Sequence, residues 1–313
     1  MKYRHTPVLV NEVLENLSLK PECIIVDCNL GEGGHSTEIA KKLKPLKGKL
    51  IGIERDEKIF NKAKENLKGF REIVTLINDN FINLKKVLAD LNINKVDNVL
   101  FDLGISTYHY FDDNRGFSFL NDQPLDMRLD KNCEYSASEI LNTFDEKKIA
   151  EILIKYGEER FAKRIAGKIV RFRQEKEILT TGTLVQIVDQ AIPDKFKPKK
   201  ISPATKTFQA LRIFINNELD NVENVLPETM DILNKGGRLL VITFHSLEDR
   251  IVKHFIRDNS RKCTCPPQLP VCVCGRNPVL KNLTGRAIVP TEQEIKNNNA
   301  SRSAKLRVAE KQV

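Results

Sequence analysis

Up to residue 106, hydrophobic and polar positions switch repeatedly between two periods. Four short apolar runs, rich in β-branched residues, read as strands: Ile24-Ile25-Val26, Leu50-Ile51-Gly52-Ile53, Ile73-Val74-Thr75-Leu76-Ile77 and Val96-Asp97-Asn98-Val99-Leu100-Phe101. Between them the apolar residues recur every three or four positions, as in Ile59, Phe60, Ala63 and Leu67, which predicts helices over 36–43, 57–67 and 81–91. An extended lead-in and a short helix over residues 4–22 precede the first strand. Alternation of this kind predicts an α/β fold with a doubly wound parallel sheet.

The alternation stops after the fourth strand. Residues 107–205 hold helical spacing at 136–141, 145–155, 158–175 and 181–191, and no strong strand pattern. This predicts a mainly helical insertion. A helix over about 203–219, another reaching Leu233, and the run Arg238-Leu239-Leu240-Val241-Ile242-Thr243-Phe244 resume the α/β pattern. Ser246 is the expected cap of the helix that follows. Residues 285–289 and 304–309 read as closing strands. The organisation expected is a core first part over 1–106, an insertion over 107–205 and a core second part over 206–313.

Composition narrows the function classes. The 313 residues carry a net charge of +9, and 41% are hydrophobic, enough for a sizeable core. The excess charge is local: residues 155–206 hold 13 Lys and Arg against 6 acids, and residues 250–313 hold 13 against 4. Arg160, Lys163, Arg164, Lys168 and Arg171 recur at helical spacing, which places cations on one face. Such a stripe suits a polyanionic partner, and its plainer reading is a solvated helix face. No run of 18 apolar residues occurs, and Met1-Lys2-Tyr3-Arg4-His5 leads into no apolar signal region, so a cytoplasmic protein with reduced thiols and no membrane partner is expected. Cys263, Cys265, Cys272 and Cys274, with prolines between, could bind zinc, but they form two C-x-C pairs rather than the commoner C-x-x-C, and no residue is assigned to a metal on that spacing.

The candidate chemistry gathers at the strand ends. Asp27, Glu54 and Asp102 each close a strand, and Gly31-Glu32-Gly33-Gly34 follows the first. Ligands of doubly wound sheets bind at such tips, and a carboxylate ending the second strand suits ribose hydroxyls. The glycine spacing is G-x-G-G, so the dinucleotide fingerprint is absent. Asp27 and Glu32 would repel a pyrophosphate, whereas a cofactor with a cationic centre and an ammonium group would suit them. The plainer reading is an α/β turn whose glycines allow tight packing. Phe81, at the third strand tip, suits an adenine face or core packing.

Several stretches together resemble the RsmH (MraW) family. They are His5-Thr6-Pro7-Val8-Leu9, Gly31-Glu32-Gly33-Gly34-His35-Ser36, Asp102-Leu103-Gly104-Ile105-Ser106, Arg115-Gly116-Phe117-Ser118-Phe119, Leu125-Asp126-Met127-Arg128, Phe208-Gln209-Ala210-Leu211-Arg212, Phe244-His245-Ser246-Leu247-Glu248-Asp249-Arg250 and Ser303-Ala304-Lys305-Leu306-Arg307. The resemblance implies a class I methyltransferase (Rossmann-like) fold with the helical insertion after the fourth strand. It further implies S-adenosyl-L-methionine as cofactor, 16S rRNA of the small ribosomal subunit as partner, and methylation of the exocyclic N4 of one cytidine in the decoding region.

By position, the family's cofactor contacts fall on Gly33, Gly34, His35, Glu54, Phe81 and Asp102. Two departures stand out. Glu54 occupies a place where the family usually has aspartate, and Ser106-Thr107-Tyr108-His109 stands where it usually has Ser-Ser-Pro-Gln, so His109 replaces a glutamine that contacts the cofactor. Transfer to a cytosine amine needs in-line alignment and an acceptor for the amine hydrogen. Asp102 is the first candidate, with a cofactor contact as its other use; His245 is the second, with a structural cap as its plainer role. An unstacked base could rest on Phe117, Phe119 or Tyr108, with Arg115 or Arg128 gripping adjacent phosphates. Two other readings stay open: an amino-methyltransferase on another nucleic acid, and a non-catalytic small-subunit assembly factor that retains the fold.

Overall fold

The computed structural model describes residues 7–111, 114–130, 133–199, 201–263, 265–266, 271 and 273–313. They form two compact units, one of residues 1–105 with 219–313, the other of residues 106–218. His5 and Cys272 lie outside the described residues.

The first unit carries a seven-stranded sheet. In chain order its elements are α1 (Val10–Asn16), β1 (Ile24–Asp27), α2 (Gly34–Leu43), β2 (Lys49–Glu54), α3 (Glu57–Asn66), β3 (Val74–Asn78), α4 (Leu84–Asp90) and β4 (Val96–Asp102). The helical unit then contributes α5 (Thr107–Phe111), α6 (Ala137–Thr143), α7 (Glu146–Gly157), α8 (Ala162–Arg173), α9 (Thr181–Ala191) and α10 (Thr205–Asn216). The chain returns through α11 (Glu218–Ile232), β5 (Leu233–Thr243), α12 (Ser246–Ser260), β6 (Leu280–Asn282), α13 (Glu292–Asn297) and β7 (Lys305–Lys311).

The sheet order is β3-β2-β1-β4-β5-β7-β6. The first five of these strands run parallel, and β7 lies antiparallel to both neighbours. Strand order reverses between β1 and β4, which puts the topological switch point beside the carboxyl ends holding Asp27 and Asp102. Successive strand residues point to opposite faces, and both faces are covered, so the parallel strands are apolar almost throughout. Val26, Ile51, Val99, Phe101 and Val241 pack on one side with α4, α11 and α12. Ile25, Leu50, Leu100, Leu240 and Ile242 pack on the other with α1 and α2.

The two polar residues inside β4 are satisfied rather than catalytic. Asp97 pairs with Lys20 at 2.7 Å and accepts the Ile24 N–H at 2.9 Å, while Asn98 exchanges hydrogen bonds with the Ser18 backbone. They anchor the chain entering β1 at the end of the sheet opposite the glycine turn.

Two expectations change near the C-terminus. Residues 285–289 form no strand; Ile288 makes an isolated bridge to Leu306, and Leu280–Asn282 takes the edge beside β7. His245, not Ser246, caps α12: its ring accepts the Glu248 N–H while the Glu248 carboxylate accepts the His245 N–H. His245 is the extended residue before the helix, and Ser246 is already its first helical residue.

The helical unit contains no strand among its described residues. Ile149, Leu153, Ile165, Ile169, Leu184, Val188 and Leu211 form its buried faces. Helix α10 packs against α7, so this unit continues past residue 206 to residue 218. On α8, Lys163, Arg164 and Arg171 are exposed opposite Ile165, Ala166 and Ile169. No helix among the described residues is long and apolar enough to cross a membrane.

One ion pair fixes the antiparallel strand. Arg307 of β7 donates to Asp249 of α12 at 2.7 and 3.3 Å, and Lys305 adds a contact at 3.2 Å. Both Asp249 and Arg307 are only 9% exposed. Burial pushes the Asp249 carboxyl up, but the Arg307 hydrogen bonds and charge outweigh it and hold it below its ordinary value. Removing one partner strands the other charge, so Asp249→Ala is expected to cost about 3 kcal/mol, and the double change Asp249→Leu with Arg307→Met distinctly less. Urea denaturation of the two variants checks this order.

Candidate active site

The turn after β1 exists because its backbone goes where side chains resist. Gly31 has φ +54 and Gly33 φ +84, both left-handed. A β-carbon on Gly33 would sit 3.1 Å from Leu67, whereas one on Gly31 would meet only the Asn29 carbonyl at 3.9 Å. The Gly31 flank is therefore open to a ligand. Helix α2 begins at Gly34 with no side-chain cap, leaving its first N–H groups to the turn and to solvent or ligand. The lead-in folds against this turn: a β-carbon on Gly34 would press on Pro7 at 3.1 Å.

His35 is the joint between the turn and the rest of the sheet. It is 6% exposed, its Nε2 lies 2.8 Å from the Val8 carbonyl, and its Nδ1 lies 3.3 Å from Asp102 Oδ2. A carbonyl and a carboxylate both accept, so the ring satisfies them together only when both nitrogens carry hydrogen. Burial opposes that charge, but the hydrogen bond and charge of Asp102, then Asp27 and the Val8 carbonyl, outweigh it and raise the His35 pKa. The neighbouring Asp27 accepts from the Ser36 hydroxyl at 2.7 Å, and burial, with the Ser36 bond opposing, raises its pKa.

Asp102 has one oxygen committed and one free. Its Oδ1 is buried without a hydrogen-bond partner among the described residues, and the Asn29 side-chain oxygen is in the same position. Buried polar atoms are normally paired, so a ligand here must bring donors or positive charge. A pyrophosphate brings neither. Glu54 closes the second strand: its carboxylate accepts the Gly31 N–H at 2.9 Å and the Asp56 N–H at 2.8 Å. Burial raises its pKa from 4.5 to about 7, against those two hydrogen bonds. The extra methylene relative to aspartate is what reaches the glycine turn. Phe81 is half-buried and makes an edge contact with Phe101, ring centroids 5.6 Å apart. His245 has its ring turned to Glu248, Nε2 standing 3.1 Å from Oε1.

The remaining expected residues belong to the helical unit and are internally braced there. His109 is 3% exposed, with its ring 5.0 Å from that of Phe117, itself 5% exposed. Phe119 packs edge-on to Phe208 at 4.9 Å. Arg115 donates to the Arg128 carbonyl at 2.9 Å and lies 5.5 Å from the centre of the Phe117 ring. Arg128 grips Asp126 through two bonds of 2.7 and 3.0 Å.

Sequence reasoning missed the residue that organises this loop. Asn216, 1% exposed at the end of α10, donates to the Met127 carbonyl and accepts the Leu129 N–H, both at 2.9 Å. It holds Met127 at φ +64. An asparagine on an otherwise apolar helix end is the one signal that could have flagged it.

The 3-2-1-4-5-7-6 order with a glycine turn at the switch point is that of a class I methyltransferase, an enzyme that uses S-adenosylmethionine. A family model described as the MraW methylase family matches residues 2–312, and the chain belongs to that family. Curated relatives named ribosomal RNA small subunit methyltransferase H cover it almost end to end. That of Clostridioides difficile (strain 630) is 46% identical over 311 residues, 99% of this chain and 100% of its own length. That of Finegoldia magna is 45% identical over 312 residues, 99% of each chain. An rRNA methylase structure from Streptococcus thermophilus, 12% identical with a TM-score of 0.43, covers 97% of this chain and 94% of its own.

The protonated bridge has a pH signature. Because the folded pKa of His35 is raised, its contribution is fully present below the ordinary value of 6.5 and is lost as pH rises through the raised value. The stability gap between the native chain and His35→Gln, read by denaturant melts, is expected to be wider at about pH 6 than at about pH 9. A gap independent of pH contradicts a charged ring.

Proposed function

We propose that this chain transfers a methyl group from S-adenosylmethionine to the exocyclic N4 of one cytidine in the decoding region of 16S rRNA, within the small ribosomal subunit. The observation that carries the reading is the unpartnered, buried Asp102 Oδ1 at the switch point. An exocyclic amine offers the hydrogen this oxygen lacks. The relatives' shared name supplies the RNA and the subunit.

The division of labour follows from the contacts. Bound S-adenosylmethionine supplies an electrophilic methyl on a cationic sulfur. Glu54 receives the ribose hydroxyls, and Gly33, Gly34 and His35 shape the turn beside it. Phe81 offers a ring edge towards the adenine end. Asp102 Oδ1 holds one amine hydrogen of the cytosine, which turns the nitrogen towards the methyl group and later takes the proton. His35 keeps Oδ2 occupied, so only one oxygen is left to the amine. His245 is already used in capping α12, which favours Asp102 as the acceptor.

Nitrogen rather than ring carbon fits the local thiol chemistry. Methylation of a pyrimidine at C5 needs a thiolate to add to the ring. Cys28, which follows β1, is 2% exposed, and burial with the Asp27 charge pushes its pKa well up. For the RNA, the exposed cations of α8 give sequence-independent phosphate contacts. Phe119 keeps partial exposure for stacking on a flipped base, while Phe117 is buried against His109. Arg115 and Arg128 brace this loop through the Arg128 carbonyl and the Asp126 carboxylate.

Tritiated methyl incorporation into purified small subunits, naked 16S rRNA and DNA tests the substrate. Incorporation is expected in the subunit. Asp102→Asn is expected to lower it by about 100-fold or more while subunit binding stays within about twofold. Normal turnover by that variant rejects the acceptor role. Incorporation by the native chain into DNA alone rejects the RNA reading; no incorporation anywhere, with cofactor binding intact, favours an assembly factor.

Glu54 gives the cofactor half its own test. Ribose hydroxyls favour the charged carboxylate, so binding must expel the proton that Glu54 holds below about pH 7. Calorimetric Kd values for S-adenosylhomocysteine are expected to be flat above about pH 7 and to rise up to about tenfold per pH unit below it. Glu54→Gln should bind more weakly above that point and lose the dependence.

A further inference from the structure

The segment between α12 and β6 has no hydrophobic reason to hold a shape. Ile256 and Leu280 are core residues, and no described hydrophobic residue between them is buried. Val271 and Val273 are 70% and 77% exposed. The ends are pinned by the Val279 N–H to the Asn259 carbonyl at 3.0 Å and by Arg276 to the Asp258 carbonyl at 2.6 Å. A loop of this length without a core normally needs a covalent or metal staple.

Three thiols converge inside it. The Sγ atoms of Cys263, Cys265 and Cys274 all lie within 4.8 Å of one another, and those of Cys263 and Cys274 are 3.8 Å apart. That spacing is far beyond a disulfide bond of about 2.05 Å. It matches the edge of a tetrahedron of sulfurs at about 2.3 Å from a central zinc, which is about 3.8 Å. The backbone is also arranged for charged sulfur. The Cys265 N–H donates to Cys263 Sγ at 3.3 Å, and the Val273 N–H donates to Cys265 Sγ at 3.5 Å. Amides aimed at sulfur lower the cost of thiolate and orient it as a metal ligand.

We propose that Cys263, Cys265 and Cys274 form a structural zinc site that closes the loop between α12 and β6. The three described thiols carry this inference; Cys272 stands outside the described residues and is not counted. Binding replaces the thiol hydrogens by Zn²⁺ and releases them as protons to solvent, with no change in oxidation state. Zinc suits this role because it is redox-inert and accepts thiolate ligands in tetrahedral geometry. The site lies far along the chain from the methyl-transfer residues and is independent of the substrate reading. Its work is to hold Arg261, Lys262 and Arg276 in a fixed loop, where a core cannot.

The test is elemental analysis of the full chain, purified anaerobically with reductant and without chelator. About one zinc per chain is expected, falling below about 0.2 in Cys263→Ser and in Cys274→Ser and unchanged in Cys133→Ser, whose thiol lies in the helical unit. Circular dichroism confirms that the variants remain folded. Cobalt titration of the metal-stripped native chain gives a second readout that needs no variant: thiolate-to-cobalt charge transfer and the visible bands of tetrahedral Co²⁺. Tryptic cleavage after Lys262 and Arg276 is expected to accelerate when the native chain is treated with a strong chelator. Native protein with less than about 0.2 zinc and no cobalt charge transfer overturns the proposal. So does full zinc in both serine variants, or a Cys263–Cys274 disulfide in the chain handled under reductant.

Discussion

The His35 ring holds two halves of the cofactor unit together. One nitrogen faces the Val8 carbonyl of the lead-in, the other faces Asp102 at the end of β4. A neutral imidazole can donate through only one nitrogen, so the geometry calls for a cation in a place where burial opposes one. Asp102 and Asp27 overcome that opposition by charge and hydrogen bonding. The consequence runs outward. The turn after β1 is fixed against the fourth strand, Asp102 keeps one oxygen occupied, and its other oxygen is presented to the switch point without a partner among the described residues.

The Asp102 acceptor explains more of the site than the glycine turn does. Glycine turns at strand tips serve many ligands. Buried acceptors without a partner among the described residues, Asp102 Oδ1 and Asn29 Oδ1, together with the Asp27 and Glu54 carboxylates at the neighbouring strand ends, suit a ligand that brings donors and positive charge. Sulfonium, ammonium, ribose hydroxyls and an exocyclic amine all meet that demand. The same arrangement disfavours chemistry by a thiolate, because the nearest thiol in this cluster is Cys28, buried and held protonated.

The sheet was legible because its strands are buried on both faces, so their apolar runs stand out, and each ends in a polar residue at the tip. Residues 285–289 misled because the apolar run Ala287-Ile288-Val289 between Gly285 and Pro290 reads like a strand, although only Ile288 bridges to β7. His245 misled in the other direction. A ring at a strand tip suggests chemistry, while its reach to the Glu248 amide makes it a cap. Local pattern could name His35, Glu54 and Asp102, but not the bonds among them, since those join residues far apart in sequence. The bonds of Asn216 were hidden for the same reason: its partners Met127 and Leu129 lie 89 and 87 residues away.

Methyl transfer to a cytidine amine of the small-subunit RNA leaves a mark that can be mapped in cells. Mass-spectrometric mapping of modified nucleosides in 16S rRNA, from cells lacking this chain and from the same cells complemented with it, tests that transfer most directly. One N4-methyl mark on a decoding-region cytidine is expected to vanish in the first and return in the second. An unchanged N4-methyl map, or a lost mark on a ring carbon or another base, would contradict it.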